Sequence, residues 1–503
     1  MKPRLPKTPS PPASPTAAAV NAMKRPSAVT YIPPLRDGAC GTTPRAQQPP
    51  WRVMRHEMAQ LLRAAPTLCR AMLARRGRAS WTDSAAMVLY VALAGLELGV
   101  ILAAVPLWCV LPGAGFALWA AACAAVVAAM CWMLNGKEQI YQCNAGSEGW
   151  MMGQEVEDEK WMFLGGMGMS SRHCHKQTLP ALSRLFSRPM VCICMPTYGM
   201  PFDLVAMMLQ RCMPIPSRSR RNLYSEMRCA LLDDSMTRCV VLCHNDSAIL
   251  VSQAVAQLYA DVPMEKLGKL EIYTFGAAAS EFTVPLGEGT KAMEPTQQSA
   301  EPSADEQRTI HVEHFAMAND PFAQMGVLHS VRQNMEGRFC GGVFVLNDNS
   351  MPTAPPDEKT SRRSSLRCSG LAMEDYLTAL FPAQMMAPAT RRSSSSSVLD
   401  SVMTVDKDCA EKREIAAMSN YHAATQAKKG GGGGGGKRLS WTGLATMAGQ
   451  RNGMNAGMVA LEMARKECRT CDGRRGREVT WLARYVVAME GRQVADGRNN
   501  NGL

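Results

Sequence analysis

Hydrophobic and polar positions divide the chain into stretches of sharply different texture. Between Asp83 and Lys137 the only charged or histidine side chain is Glu97, set in two apolar runs, Ala85 to about Leu111 and Ala114 to Leu134. Each exceeds the roughly 18 to 20 residues that a helix needs to cross hydrocarbon. The breaker cluster Leu111-Pro112-Gly113-Ala114-Gly115 between them is too short for a domain, so residues 84–135 read as a transmembrane helical hairpin. Within lipid, backbone polar groups can be satisfied only inside helices or barrels. Neither run shows the polar stripe of a buried helical pair in a soluble protein.

From residue 155 to 383 the pattern changes to short apolar runs alternating with helical stretches, the texture of an α/β domain. Five strands are predicted: Trp161–Leu164, Met190–Met195, Cys239–Cys243, Leu270–Phe275 and Gly341–Leu346. Helices are predicted over Gln177–Phe186, Pro201–Cys212, Ser225–Leu232 and Ala248–Ala260. Strands apolar on both faces and flanked by helices imply a mainly parallel sheet covered on both sides. Residues 285–308 and 350–367 are polar and Pro- or Ser-rich, and read as loop insertions.

The flanks are different again. Residues 1–50 are rich in Pro, Ala, Ser and Thr and cannot bury enough apolar surface to offset chain entropy, so they read as disordered. Their start has no apolar h-region behind it, so insertion falls to the hairpin. Residues 51–80 read as a basic amphipathic juxtamembrane segment, broken near Pro66 and suited to a membrane surface. Residues 384–503 read as mostly disordered, with the linker Gly430 to Gly436 and a helix over 478–490 where Val479, Leu482, Val486 and Met489 share a face.

Charge adjusts this picture. The formal charge of +12 sits mainly in the tails and the approach to the hairpin, which suits anionic lipid headgroups and not nucleic acid. Arg70, Arg75, Arg76 and Arg78 before the first span place both tails and the α/β domain on the cytosolic side. The 18 cysteines are scattered, and those in Val191-Cys192-Ile193-Cys194 read as small buried hydrophobes in a reducing compartment. Cys468-Arg469-Thr470-Cys471 lacks a second pair or nearby histidines, so no metal site and no cofactor are assigned. Three Arg/Ser strings, beginning at Arg362, Arg391 and Lys437, have the look of basophilic kinase sites.

The chemical centre is the strand Cys239–Cys243 running into His244-Asn245-Asp246-Ser247-Ala248 and an apolar helix. This is the strand, sharp turn, helix layout of a nucleophile elbow, which lifts one side chain over a helix N-terminus. Here the chain resembles the fungal, membrane-anchored α/β-hydrolase-like proteins, relatives of lipases and serine esterases, whose elbow reads His-Ser-Gln-Gly-Gly after apolar residues. Further segments carry the resemblance in order: Trp161 to Gly166, Phe186 to Asp203, Lys269 to Ala279, His311 to His329, and Tyr376 to Pro382. It implies an α/β-hydrolase-like fold, an oxyanion loop at Gly165 and Gly166, and the acid at Asp320.

The departures decide the function. Asn245 stands where the resemblance puts the serine nucleophile, and an amide cannot be activated by an imidazole as a hydroxyl can. Ser247 is the alternative nucleophile, although the small residues required two positions to either side fit Asn245 better. Leu371, after Gly370, stands where the resemblance puts the base histidine, and His311, His314 and His329 read as structural or surface residues. An acid with no imidazole to orient has no catalytic task. The expected function is therefore that of a catalytically impaired relative of lipases and serine esterases, in lipid or acyl-group binding or scaffolding, with membrane lipids and an acyl lipid as partners. An active esterase built on Ser247 and a purely structural membrane protein are the alternatives. The methionines Met162, Met167, Met169, Met195, Met200, Met207 and Met208 would suit a lipid groove or ordinary core filling. Oligomeric state is not legible.

Overall fold

The computed structural model describes residues 28–34, 50–75, 81–135, 139–143, 158–167, 171–283, 310–334, 339–347, 370–381, 397–406 and 473–486. Nine strands form one sheet: β1 (Val29–Ile32), β2 (Ile140–Cys143), β3 (Glu159–Leu164), β4 (Met190–Ile193), β5 (Arg238–His244), β6 (Leu270–Phe275), β7 (His311–Met317), β8 (Gly342–Leu346) and β9 (Met403–Val405). Their order is β2-β4-β3-β5-β6-β7-β8-β1-β9. The central run from β4 to β8 is parallel throughout, while β2 and β1 join its two sides antiparallel.

The helices are α1 (Pro50–Arg75), α2 (Trp81–Val110), α3 (Gly113–Asn135), α4 (Leu179–Phe186), α5 (Met200–Cys212), α6 (Arg218–Leu232), α7 (Ser247–Asp261), α8 (Met264–Leu267), α9 (Pro321–Met325) and α10 (Met373–Leu380). Alternation along each strand sends side chains to opposite faces of the sheet. Met162, Leu164, Val241, Cys243 and Ile272 join α5, α6 and α7 in one core, whereas Trp161, Phe163, Val240, Leu242 and Tyr273 join α4 and α10 in the other. This is the mainly parallel sheet with flanking helices that the α/β-hydrolase resemblance implies. Met162, Met207 and Met208 are buried and fill core.

Three elements depart from expectation in the flanks. Val29–Ile32, inside the stretch read as disordered, pairs antiparallel with β8, and β9, inside the C-terminal tail, pairs with it in turn. Both are short, but they cover an edge that would otherwise leave a row of backbone groups unpaired. The C-terminal helical expectation becomes two turns around Gly476–Val479 and 482–486 that dock on the domain. There Thr480 Oγ1 and Trp481 N donate to Glu313 at 2.5 and 2.7 Å, and Trp481 stacks on His311. Residues 285–308, 350–367 and 430–436, together with the three Arg/Ser strings and Cys468 and Cys471, lie outside the described residues.

Helix α1 is also unlike its expectation, because it runs through Pro66 unbroken and one face is buried against the domain. Glu57 there pairs with Arg211 of α5 at 2.6 Å, both side chains being buried. Gln60 also meets Arg211 at 3.2 Å and His329 at 2.6 Å. Its outer face carries Trp51, Met54, Met58 and Leu62, all exposed and spaced as a helical stripe.

Helices α2 and α3 are two helices long and apolar enough to cross a membrane. They are not the buried pair of a soluble core, since Leu102, Val105, Trp108, Val110 and Leu118 are all about 70% exposed or more (69%, 72%, 69%, 79% and 75%). Among the described residues the base of the hairpin packs against the α/β domain. Tyr90, Leu93 and Leu134 cluster there with Met200, and Asn135 exchanges two hydrogen bonds with the Thr197 backbone at 2.7 and 2.8 Å. Glu97 is buried against Gly199 of the α/β domain, so it faces neither α3 alone nor a headgroup.

Candidate functional site

The parallel strands β3, β5, β6 and β7 end together, and the turns that leave them converge at their carboxyl ends, where ligands of open α/β sheets are bound. His244 closes β5 and Ser247 opens α7, so Asn245 and Asp246 form the whole turn between them. Asn245 has φ 53°, left-handed backbone that asparagine tolerates better than most side chains. Its backbone N–H donates to Phe275 O at 2.9 Å and its carbonyl accepts from Ala278 N at 3.0 Å, tying the elbow to the turn after β6.

Two glycines let this turn close up. A Cβ on Gly166 would press on the His244 carbonyl and lie 2.8 Å from Asn245 Cβ. A Cβ on Gly276, itself at φ 65°, would collide with the Asp320 carboxylate and lie 2.8 Å from Asn245 Oδ1. Asn245 and Asp320 therefore meet across a position where only hydrogen fits.

The structure brings Asn245, Asp320, Leu371 and the Gly165-Gly166 loop to one place. Asn245 Nδ2 points to the Leu371 carbonyl at 3.5 Å, and Asn245 Oδ1 is buried with no hydrogen-bond partner among the described residues. Such an orphan costs about 1 to 3 kcal/mol. Asp320 caps α9, with Oδ1 accepting from Phe322 N at 2.8 Å, while Oδ2 accepts from the Tyr376 hydroxyl at 2.6 Å. In a working triad that second oxygen receives an imidazole N–H. Complete burial pushes the Asp320 carboxyl up to about 7, against the pull of these hydrogen bonds.

Asp246 supplies what sequence reasoning missed. Its carboxylate accepts from the backbone N–H of Met167 at 2.5 Å and is further favoured by its own N–H and that of Ser247. In α/β-hydrolases an N–H from the loop after this strand and the N–H of the residue following the nucleophile make the oxyanion hole. Here the N–H of Met167, one residue beyond Gly166 in the loop after β3, donates to an acidic side chain of the protein itself. Burial pushes the Asp246 carboxyl up to about 7, and Asp203 adds repulsion. The signal was present in the sequence: an acid in the first position after the elbow residue, at a helix N-terminus that favours anions.

Ser247 is fully buried, and its Oγ bonds only to backbone: it accepts from His244 N at 2.9 Å and lies 2.7 and 3.1 Å from the His244 and Leu164 carbonyls. Among the described residues no imidazole is hydrogen-bonded to it. His244 Nε2 lies 3.4 Å from Gly370 O, and His314 bridges Thr274 Oγ1 at 2.7 Å and Cys340 O at 2.8 Å. His311 bonds Glu313 at the opening end of β7, and His329 bonds Gln60 of α1. None of these four is hydrogen-bonded to Asn245, Ser247 or Asp320 in the contacts described.

The base of the hairpin abuts the same region. Tyr90 of α2 donates to Asp203 Oδ2 at 3.2 Å, Thr197 Oγ1 donates to the same oxygen, and Tyr198 N donates to Oδ1 at 2.7 Å. Burial raises the Asp203 carboxyl, and its charge is felt at Asp246.

No protein-family model matches the chain, and none of the curated proteins is similar to it. Among solved structures, an esterase from the bacterial hormone-sensitive lipase family is similar at 15% identity, covering 49% of this chain and 90% of its own, with a TM-score of 0.23. A mutant of a second esterase is similar at 13% identity over 49% of this chain and 90% of its own, with a TM-score of 0.21.

Proposed function

We propose that this chain is a membrane-anchored α/β-hydrolase-fold protein that has lost hydrolysis and holds an acyl lipid at the bilayer surface. The observation that carries the reading is the pair at the elbow. Asn245 stands at its tip, and the Asp246 carboxylate fills the amide position where a substrate carbonyl would be polarised. A hydrolase at this spot needs an attacking oxygen, a proton acceptor and a vacant anion hole. Leu371 follows Gly370 where the base is expected, and Tyr376 has taken the acid.

The membrane part of the proposal rests on exposed apolar surface. The stripe Trp51, Met54, Met58 and Leu62 on α1 and Phe202 and Val205 on α5 lie uncovered, as do the upper faces of the hairpin. Arg52 and Arg55 flank Trp51, an arrangement suited to anionic headgroups. Helix α5 begins beside the hairpin base, and its Asp203 feels the elbow, so the site lies on the membrane-proximal side and an acyl chain would arrive from the bilayer. The arginines before α2 favour a cytosolic domain.

Two measurements on the full chain in nanodiscs test this. A fluorophosphonate probe is expected to leave the protein unlabelled, and a phosphatidylcholine with a photoreactive acyl chain is expected to crosslink within residues 195–213. Labelling abolished by Ser247→Ala would establish an active esterase and sink the proposal. Crosslinks confined to α2 and α3 would leave a purely structural membrane protein.

A further inference from the structure

Cys192 and Cys194 sit two residues apart at the end of β4 and so share one face of the sheet. Cys174 approaches that face from a π-helical turn, Cys174–Thr178, that precedes α4. All three are buried, and their sulfurs lie within 4.8 Å of one another, with Cys174 to Cys192 at 2.9 Å and Cys192 to Cys194 at 3.7 Å. Three thiols used merely as small hydrophobes have no reason to point at a common centre. π-Helical turns are rare and are found disproportionately at functional sites.

We propose that Cys174, Cys192 and Cys194 form a thiolate site for a thiophilic d10 cation, zinc or copper(I). With metal–sulfur bonds of about 2.3 Å, ligand sulfurs stand roughly 3.8 to 4.0 Å apart in tetrahedral or trigonal geometry. The Cys192–Cys194 pair already has that spacing. The Cys174–Cys192 pair reaches it by opening about 1 Å, within the range of a side-chain rotation. Copper(I) is satisfied by three thiolates. Zinc takes a fourth ligand, for which His173 and His175 flank Cys174 in sequence; His173 is engaged by Glu374 at 3.1 Å, whereas His175 is exposed, its ring tilted against Tyr141 with centroids 4.7 Å apart. Each thiol releases a proton as its sulfur binds, and no oxidant or reductant is required. Residues Ser171–His173, just before the π-turn, pack beside α3, so a bound cation would rivet the β2–β4 side of the sheet to the root of the hairpin.

The test uses the full chain purified in detergent without chelator. Elemental analysis is expected to find about one zinc or copper per chain, and the Cys192→Ser/Cys194→Ser double variant about tenfold less. The control Cys468→Ser/Cys471→Ser is expected to retain its metal. X-ray absorption on the unmodified protein, which needs no variant to fold, is expected to count three sulfurs at about 2.3 Å. A nitrogen in addition identifies zinc with a flanking histidine, which His175→Ala then assigns, and three sulfurs alone identify copper(I). Fewer than three sulfurs, metal retained by the double variant, a metal-free purified chain, or a mass two hydrogens lower with Cys174 joined to Cys192 would each overturn the proposal.

Discussion

Replacing Asp246 with asparagine separates the charge of this side chain from its shape. The amide oxygen can still accept from Met167 N–H, but no proton is exchanged. In the folded protein the carboxyl sits at about 7, against 3.8 when exposed. That separation is worth about 4 kcal/mol, at roughly 1.36 kcal/mol per decade. The folded-state value is raised, so the contribution is fully present below pH 3.8, where both states are protonated, and is lost as pH climbs through 7. About 3 kcal/mol of the loss falls between pH 4.5 and 8. Asp320, at about 7 for the same reason, adds a parallel loss common to both proteins, so the difference between wild type and Asp246→Asn isolates Asp246. Urea unfolding in nonionic detergent, followed by fluorescence of the buried Trp161, measures it. Relative to wild type, the variant is expected to gain about 3 kcal/mol on going from pH 4.5 to 8. Parallel curves would refute the placement of Asp246 as a buried acid at the loop amide.

Ser247→Ala should lower stability by about 1 to 3 kcal/mol, because His244 N–H loses its buried acceptor, and should leave probe reactivity unchanged. Asn245→Ser alone is expected to stay inert to fluorophosphonate in labelling time courses, since among the described residues no imidazole is hydrogen-bonded at the elbow tip and Asp246 still holds the loop amide; rapid labelling would reveal an overlooked base. Glu57→Leu strands the buried Arg211 guanidinium, at a cost of about 3 to 5 kcal/mol. Trypsin should then cut within α1, at Arg52, Arg55 or Arg63, faster than in wild type.

Much of the centre of the fold was legible because β3, β4, β5, β6 and β8 are apolar runs interspersed with helices that carry their own stripes, but β7, where His311, Glu313 and His314 interrupt the apolar run, was not among the strands read. The boundaries of β5, β6, α5 and α7 fall within a residue of those read from the pattern. What else escaped reading was non-local. β1 is four residues in a Pro-rich stretch, and its partner β8 lies some three hundred residues away, so no local periodicity announces the pair. Segment 51–80 carried two apolar stripes, and the sequence displayed the exposed one without showing that Glu57 and Gln60 on the other face would meet Arg211. The site followed the same division. The turn at Asn245 was visible from strand, breaker and helix in succession. The destination of the Asp246 carboxylate depended on a loop about eighty residues earlier, and the convergence of Cys174 with Cys192 depended on a π-turn that spacing does not disclose.

On the proposed reading the frame of a hydrolase site persists without its chemistry, and the glycines explain how it could. Gly166, Gly276 and Gly370 each occupy a point where a Cβ would strike the elbow or Asp320, and the last two also have positive φ. These constraints come from backbone packing around Asn245 and Asp320, whatever those side chains can catalyse. Asp320 still caps α9 and receives the Tyr376 hydroxyl, which itself accepts from Met317 N at 3.1 Å, so the acid has a structural task independent of any base. A retained elbow with its left-handed residue is therefore no sign of turnover. The diagnostic positions are those the frame does not dictate, and there the chain presents an amide at 245, a carboxylate at 246 and leucine at 371. On this reading hydrolysis would require changes at all three together. A serine without a base is not activated, a base without a serine has no proton to take, and either would face the Asp246 carboxyl at the loop amide.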